Sequence, residues 1–92
     1  MIESFKHKGL KKYFETGEPS KLNQANVRRL RLILTQLHAA QNIRDMNFPG
    51  SNLHKLSGDR EGFWSVSVSG NWRVIFRFED GDAYDVDYLD YH

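Results

Sequence analysis

Apolar positions recur at helical spacing in the first half of the chain and at strand spacing in the second, and the change falls near residue 50. Ile2 to Phe5 alternates briefly and predicts a short strand. Lys8 to Glu15 predicts a helix, with Leu10, Tyr13 and Phe14 on one face and Gly17 as its stop. Glu18-Pro19-Ser20 predicts a turn. A longer helix is expected from Leu22, because Val27, Leu30, Ile33, Leu34, Leu37 and Ala40 form one apolar stripe. Arg28, Arg29 and Arg31 fall off that stripe, and His38 borders it as an edge-of-core histidine. A last helical piece is expected from Gln41 to Met46, closed by the loop Phe48-Pro49-Gly50.

The period then becomes two. Leu53 to Leu56 predicts a short strand, and Ser57 to Gly62 a turn. From Phe63 to Ser69, Trp64, Val66 and Val68 face one way and three serines the other. Gly70-Asn71 supplies hairpin chemistry. Trp72, Val74, Phe76 and Phe78 form the next apolar face, opposite Arg73, Ile75 and Arg77. After the turn Asp80-Gly81-Asp82, the last strand is expected to set Tyr84, Val86 and Tyr88 against Asp85 and Asp87. Helices followed by a meander predict an α+β fold, with two N-terminal helices packed on one face of a mainly antiparallel, twisted sheet. The chain is expected to form a single domain over residues 1–92. Cross-strand Arg–Asp pairs are expected on the polar face, each contributing a few tenths to about 1 kcal/mol.

Charge adds a partner class. The net charge is only +1, yet residues 1–77 carry all 13 Lys and Arg against 6 acids, and residues 78–92 carry 6 acids and no Lys or Arg. A basic body of this kind suits a polyanion. The helix arginines serve either solubility or contact with RNA or an acidic protein. There is no cysteine, which excludes disulfides and thiolate chemistry. No apolar run is long enough to span a membrane or serve as a signal peptide, so a cytoplasmic location without membrane contact is expected.

The chemistry-bearing residues cluster late in the chain. Asp90-Tyr91-His92 follows the last strand without a linker. A terminal carboxylate beside the His92 ring favours imidazolium, raising its pKa from about 6.5 towards the range useful for proton transfer. The bland alternative is a solvated tail. The meander places Arg73 on the strand beside the last one, Asn71 in the adjoining turn and His54 on the strand before the meander. Cutting RNA without a metal requires a base for the 2′-OH, an acid for the leaving 5′-oxygen, a cation for the charged transition state, and a group that splays the base. His54 and His92 are the acid–base candidates. Arg73 either clamps phosphate bidentately or pairs with Asp85 or Asp87. Tyr91 either stacks on a base or packs on the sheet, and Asp90 orients its neighbours.

The runs LHKLSGDREGFWSVSV (Leu53 to Val68) and NWRVIFRF (Asn71 to Phe78), the closing DYH and the opening MIESFKHKGL together resemble the HigB-type toxins of the RelE superfamily. The resemblance spans essentially the whole chain and implies the RelE-like microbial RNase fold. It implies a ribosome-dependent endoribonuclease that enters the A site of the 70S ribosome and cuts translated mRNA, often at adenine-rich codons, with no cofactor and no metal. It also implies a HigA-type helix-turn-helix antitoxin, with operator DNA bound only through the toxin–antitoxin complex. Carried over by position, the active surface falls on His54, Asn71, Arg73, Asp90, Tyr91 and His92. Lys6, Lys8, Lys11, Lys12 and Arg60 would bind rRNA phosphates. One departure stands out. The family commonly has Pro-Leu-Lys after the histidine, where this chain has Lys55-Leu56-Ser57. Ser57 brings no charge. Lys55, expected on the same face of the strand, either compensates or is merely solvated. Two other readings are a non-catalytic RNA- or ribosome-binding module of the same fold, and a metallohydrolase built on His54, Asp90 and His92, whose spacing matches no metal-ligand motif.

Overall fold

The computed structural model describes residues 1–91. Helix α1 (Lys8–Thr16) starts where the His7 ring accepts a hydrogen bond from the Leu10 N–H and ends at Gly17, which takes the left-handed conformation at φ 81°. Its residue Gly9 is fixed by a close approach, since a Cβ there would lie 2.5 Å from Lys21 Cβ. Helix α2 (Val27–Ala39) begins five residues later than the apolar pattern alone predicts. Asn23 instead caps a short 3-10 turn over Gln24–Asn26 by accepting from the Ala25 N–H. Asn42 and Asp45 likewise form a reciprocal capping box, so the piece after α2 is a separate 3-10 turn over Ile43–Met46. The N–H groups of Gln41 and Asn42 lower the Asp45 pKa.

The remainder is a meander of strands β1 (His54–Lys55), β2 (Phe63–Ser69), β3 (Trp72–Glu79) and β4 (Asp82–Asp90), in that spatial order and antiparallel throughout. Ile2 and Phe5 add parallel bridges to Ala83 and Val86 on the outer edge of β4. Leu10, Leu30, Ile33, Leu34 and Leu37 close on Val66, Val74, Phe76, Ala83, Val86 and Tyr88, so both helices cover one face of the sheet. The other is the open face of the sheet.

Strand β4 departs from simple alternation. Asp85 adopts a positive φ of 53°, and the register with β3 shifts between Ile75 and Arg77, which marks a bulge. The core-facing residues become Ala83, Val86 and Tyr88, and Tyr84 moves to the opposite side, beside Arg77. The N-terminal segment accounts for the bulge. The Ser4 hydroxyl accepts from the Asp85 N–H at 2.9 Å, and the Ser4 carbonyl accepts from the Val86 N–H at 3.1 Å.

One buried polar relay ties α2 to the β2–β3 hairpin. Asn26 Nδ2 donates to the Tyr88 hydroxyl at 2.6 Å, and the Ser69 hydroxyl donates to Asn26 Oδ1. Trp72 stacks on the Tyr88 ring at 4.6 Å, and the His7 ring meets it edge-on. Burial raises the Tyr88 pKa, with hydrogen bonds from Asn26 and the Asn23 backbone acting in the opposite sense. A raised phenol pKa means that the fold holds the neutral form. This contribution is complete below the unfolded value of about 10 and is lost as pH rises through the folded value. Tyr88→Phe should therefore cost about 1–3 kcal/mol, by leaving the buried Asn26 amide without its acceptor, and should remove this alkaline dependence. Urea melts of both proteins at neutral and alkaline pH check this.

Candidate active site

Antiparallel pairing sets which side chains share a face, because residues directly opposite one another project the same way. On the open face His54 lies opposite Ser65, Ser65 opposite Ile75, and Ile75 opposite Asp87. The next row is Ser67, Arg73 and Leu89, and the row on the other side is Phe63, Arg77 and Tyr84. The two serines make a low floor between His54 and Arg73. Their small side chains leave the space above them to whatever the longer ones hold. Ser65 is buried, as are Ile75 and Leu56, although neither apolar residue belongs to the main core. The open face is thus not purely polar, as the alternation suggested, but has an apolar bed under its polar rim.

His54 is exposed, and its ring orientation is set locally. Asn52 takes a left-handed φ of 47°, which brings its carbonyl within 3.0 Å of His54 Nδ1. A carbonyl only accepts, so in the neutral ring Nδ1 carries the proton and Nε2 presents the lone pair. That is the form a general base requires.

Arg73 Nη1 donates to the carbonyls of Gly70 at 2.7 Å and Trp72 at 3.0 Å, so the hairpin itself holds the guanidinium. Neither Asp85 nor Asp87 pairs with it. The cross-strand pairing expected for the arginines falls instead on Arg77, which reaches Asp85 at 3.3 Å and pairs with Glu79. Glu79 first, and then Asp85, raise the Arg77 pKa. One arginine of the face is therefore paired with carboxylates, and the other is anchored by backbone carbonyls.

Asn71 lies in the hairpin turn, and its carbonyl accepts from the Tyr91 N–H at 2.7 Å. This bond ties the segment after β4 to the turn beside Arg73. The Tyr91 ring is 40 % exposed and lies 5.3 Å from the Arg60 guanidinium carbon. Asp90 pairs across from Trp72, a residue of the helix-side face, rather than from Arg73. His92 lies outside the described residues, and with it the expected effect of a neighbouring carboxylate on its ring.

Lys55 pairs with Trp64 and sets its ammonium 5.8 Å from the centre of that ring, on the helix-side face. Ser57 follows β1 as the cap of a 3-10 turn, so the two do not share a strand face, and Lys55 points away from His54. Lys6 is exposed at the β4 edge, and Lys8, Lys11 and Lys12 are exposed on α1 in the helical layer. A groove of about 410 Å³ between α1 and α2, lined by Tyr13, Phe14 and Arg31 among others, lies in that same layer and holds none of the site residues. No cluster of three or more His, Asp or Glu suited to a metal occurs among the described residues, and no helix among them is long and apolar enough to cross a membrane.

A family model described as the RelE-like toxin of the type II toxin–antitoxin system HigB matches residues 3–92. The chain belongs to these HigB-like toxins. Endoribonuclease HigB of Proteus vulgaris is 48 % identical to it over 92 residues, covering the whole of both chains. Toxin HigB-1 of Vibrio cholerae serotype O1 is 34 % identical over 98 residues, covering all of this chain and 98 % of the other. Among solved structures, a YafQ mutant from E. coli superposes with a TM-score of 0.63 at 17 % identity, covering 98 % of this chain and 91 % of that one. At so low an identity the last likeness concerns the fold alone, and it is the two-layer RelE-like architecture expected from the sequence.

The contact that sequence reasoning missed is the one between Arg60 and Tyr91. A cation in a Gly-rich loop gave no sign of reaching a ring 31 residues away. The 3-10 spacing of Ser57 to Arg60 was the available clue.

Proposed function

We propose that this HigB-like toxin is an endoribonuclease that cuts mRNA on the ribosome, and that the open face of its sheet is the cutting surface. The observation that carries this reading is the arrangement of His54 and Arg73 beside Ser65 and Ser67 on one face, with His54 Nδ1 held by the Asn52 carbonyl and the Arg73 guanidinium held by carbonyls of its own hairpin. The naming of the 48 % identical relative as an endoribonuclease supports it.

In this reading His54 Nε2 and His92 share the proton transfers. One takes the 2′-OH proton as that oxygen attacks the adjacent phosphorus, and the other protonates the departing 5′-oxygen. The products are a 2′,3′-cyclic phosphate and a 5′-OH, and the step calls on no metal. Arg73 balances the charge that accumulates on the phosphoryl oxygens. Tyr91 and Asn71 position the nucleotide, and Asp90 orients its neighbours. Lys6, Lys8, Lys11 and Lys12, on the helical layer and sheet edge, contact rRNA phosphates in the A site. Raising salt should therefore weaken ribosome binding steeply. A helix-turn-helix antitoxin of the HigA type is the protein partner, and operator DNA is bound through that complex.

The test maps RNA ends after the protein is added to translating ribosomes and, separately, to the same message without ribosomes. Cuts within the translated frame that appear only with ribosomes are expected. Arrested translation with intact message would favour the non-catalytic ribosome-binding module instead.

A further inference from the structure

Arg60 lies in the loop between β1 and β2, at the Phe63 end of the sheet, whereas Tyr91 follows β4 at the Trp72 end. Phe63 and Ser67, which stand in the rows nearest those two ends, are four residues apart, about 13 Å of strand at roughly 3.3 Å per residue. Yet the guanidinium carbon of Arg60 is 5.3 Å from the centre of the Tyr91 ring. The contact therefore reaches across the open face, over the strands that carry Ser65 and Arg73.

The loop aims Arg60 there. Gly58–Arg60 is a 3-10 turn capped by Ser57, whose carbonyl accepts from the Arg60 N–H at 3.4 Å. In a 3-10 turn the side chains at i and i+3 eclipse one another. The turn starts the Arg60 side chain one backbone hydrogen bond from Ser57, which has no charge of its own. Glu79 and Asp85 pair with Arg77, and Asp82 with the N-terminal ammonium, rather than with Arg60. Lys55, the nearest lysine in sequence, faces Trp64 on the other side of the sheet.

We propose that Arg60 is a positioning residue of this site. Its guanidinium covers one face of the Tyr91 ring, steadies that ring over the open face with its second face available to stack on a base, and sets a permanent positive charge beside the phosphate at a point where Ser57 supplies none. The proposal rests on the reading of the open face as the RNA-cutting surface. Guanidinium stacks flat on aromatic rings and stays charged at any working pH, which an ammonium or an amide in its place does not match.

A ring platform and a phosphate contact act on bound substrate and transition state alike, so their loss should appear in KM rather than in kcat. Arg60→Gln is expected to raise KM for programmed ribosomes about tenfold with kcat nearly unchanged, and Arg60→Lys should recover part of that loss. A purely structural role would lower the active fraction, and so kcat, at constant KM. The second readout needs no activity. Arg60→Gln should shift and broaden the ring carbon and proton NMR signals of Tyr91 while leaving those of Tyr13 and Tyr84 in place. Unchanged Tyr91 signals overturn the proposal whether or not the protein cuts RNA. Wild-type KM and kcat in Arg60→Gln, measured where the wild-type protein does cut, overturn it without touching the reading of the face. Failure of the wild-type protein to cut, together with a Tyr91 shift in the variant, strikes the cutting function alone.

Discussion

Replacing Arg73 with alanine is expected to slow message cutting by roughly 10²- to 10³-fold, the size of loss seen when one preorganised donor to a developing oxyanion is removed. The structure separates this arginine from its neighbour on the strand. Arg73 is held by two carbonyls of its own hairpin, so its position is fixed without neutralising its charge. Arg77, four residues on, already satisfies Glu79 and Asp85. Arg77→Ala should therefore cost far less activity, although it faces the same way. Arg73→Lys keeps a charge but loses the planar fork, and should fall between wild type and alanine. Because the Arg73 guanidinium is held by two backbone carbonyls of its own hairpin and pairs with neither Asp85 nor Asp87, the melting temperature of Arg73→Ala should stay close to that of the wild-type protein. Single-turnover cutting on programmed ribosomes, with thermal melts as the control for folding, gives both numbers. Cutting by Arg73→Ala at the wild-type rate would remove the arginine from the chemistry.

The largest loss of stability is expected from Phe76→Ala, about 3–5 kcal/mol. Phe76 is fully buried at the centre of β3, opposite Trp64, and makes an edge-on contact with Phe78 at 6.5 Å. It also lies where the β4 register shifts, so a cavity there would undermine the bulge as well as the helix-side core. Domains of this size are stable by only about 5–15 kcal/mol in total, so the variant should be close to unfolded at 37 °C. Urea denaturation compares the midpoints, and a loss below 1 kcal/mol would mean that the helices do not close on β3 as described.

Much of this architecture is legible in the residues. The serines that alternate with Trp64, Val66 and Val68, and the Gly70-Asn71 turn, are enough to pair β2 with β3 and to place His54 and Arg73 on one face. What alternation alone misreads is β4. The bulge at Asp85 depends on Ser4, 81 residues away in sequence, and a two-residue period has no means of registering so distant a partner. Tyr84 changes sides as a result. The start of α2 departs from the apolar pattern for a different reason. Asn23 and Asn26 compete for backbone and buried hydrogen bonds, which overrides the apolar stripe that otherwise runs back towards Leu22. The site was legible in part. His54, Asn71 and Arg73 follow from strand pairing, and the Asn71–Tyr91 bond joins Tyr91 to them. Lys55 does not share a strand face with Ser57, because β1 is only two residues long and the two-residue period ends before it reaches Ser57.

Cutting of message on this face, as proposed, depends on attack by the 2′-OH. The most direct measurement programs ribosomes with two messages that differ by one atom, the 2′-oxygen of the nucleotide on the 5′ side of the cut. Cleavage of the all-ribose message to a 2′,3′-cyclic phosphate end, and none at that site in the 2′-deoxy message, is the predicted result. Equal cutting of both messages, or an intact ribose message, would contradict it.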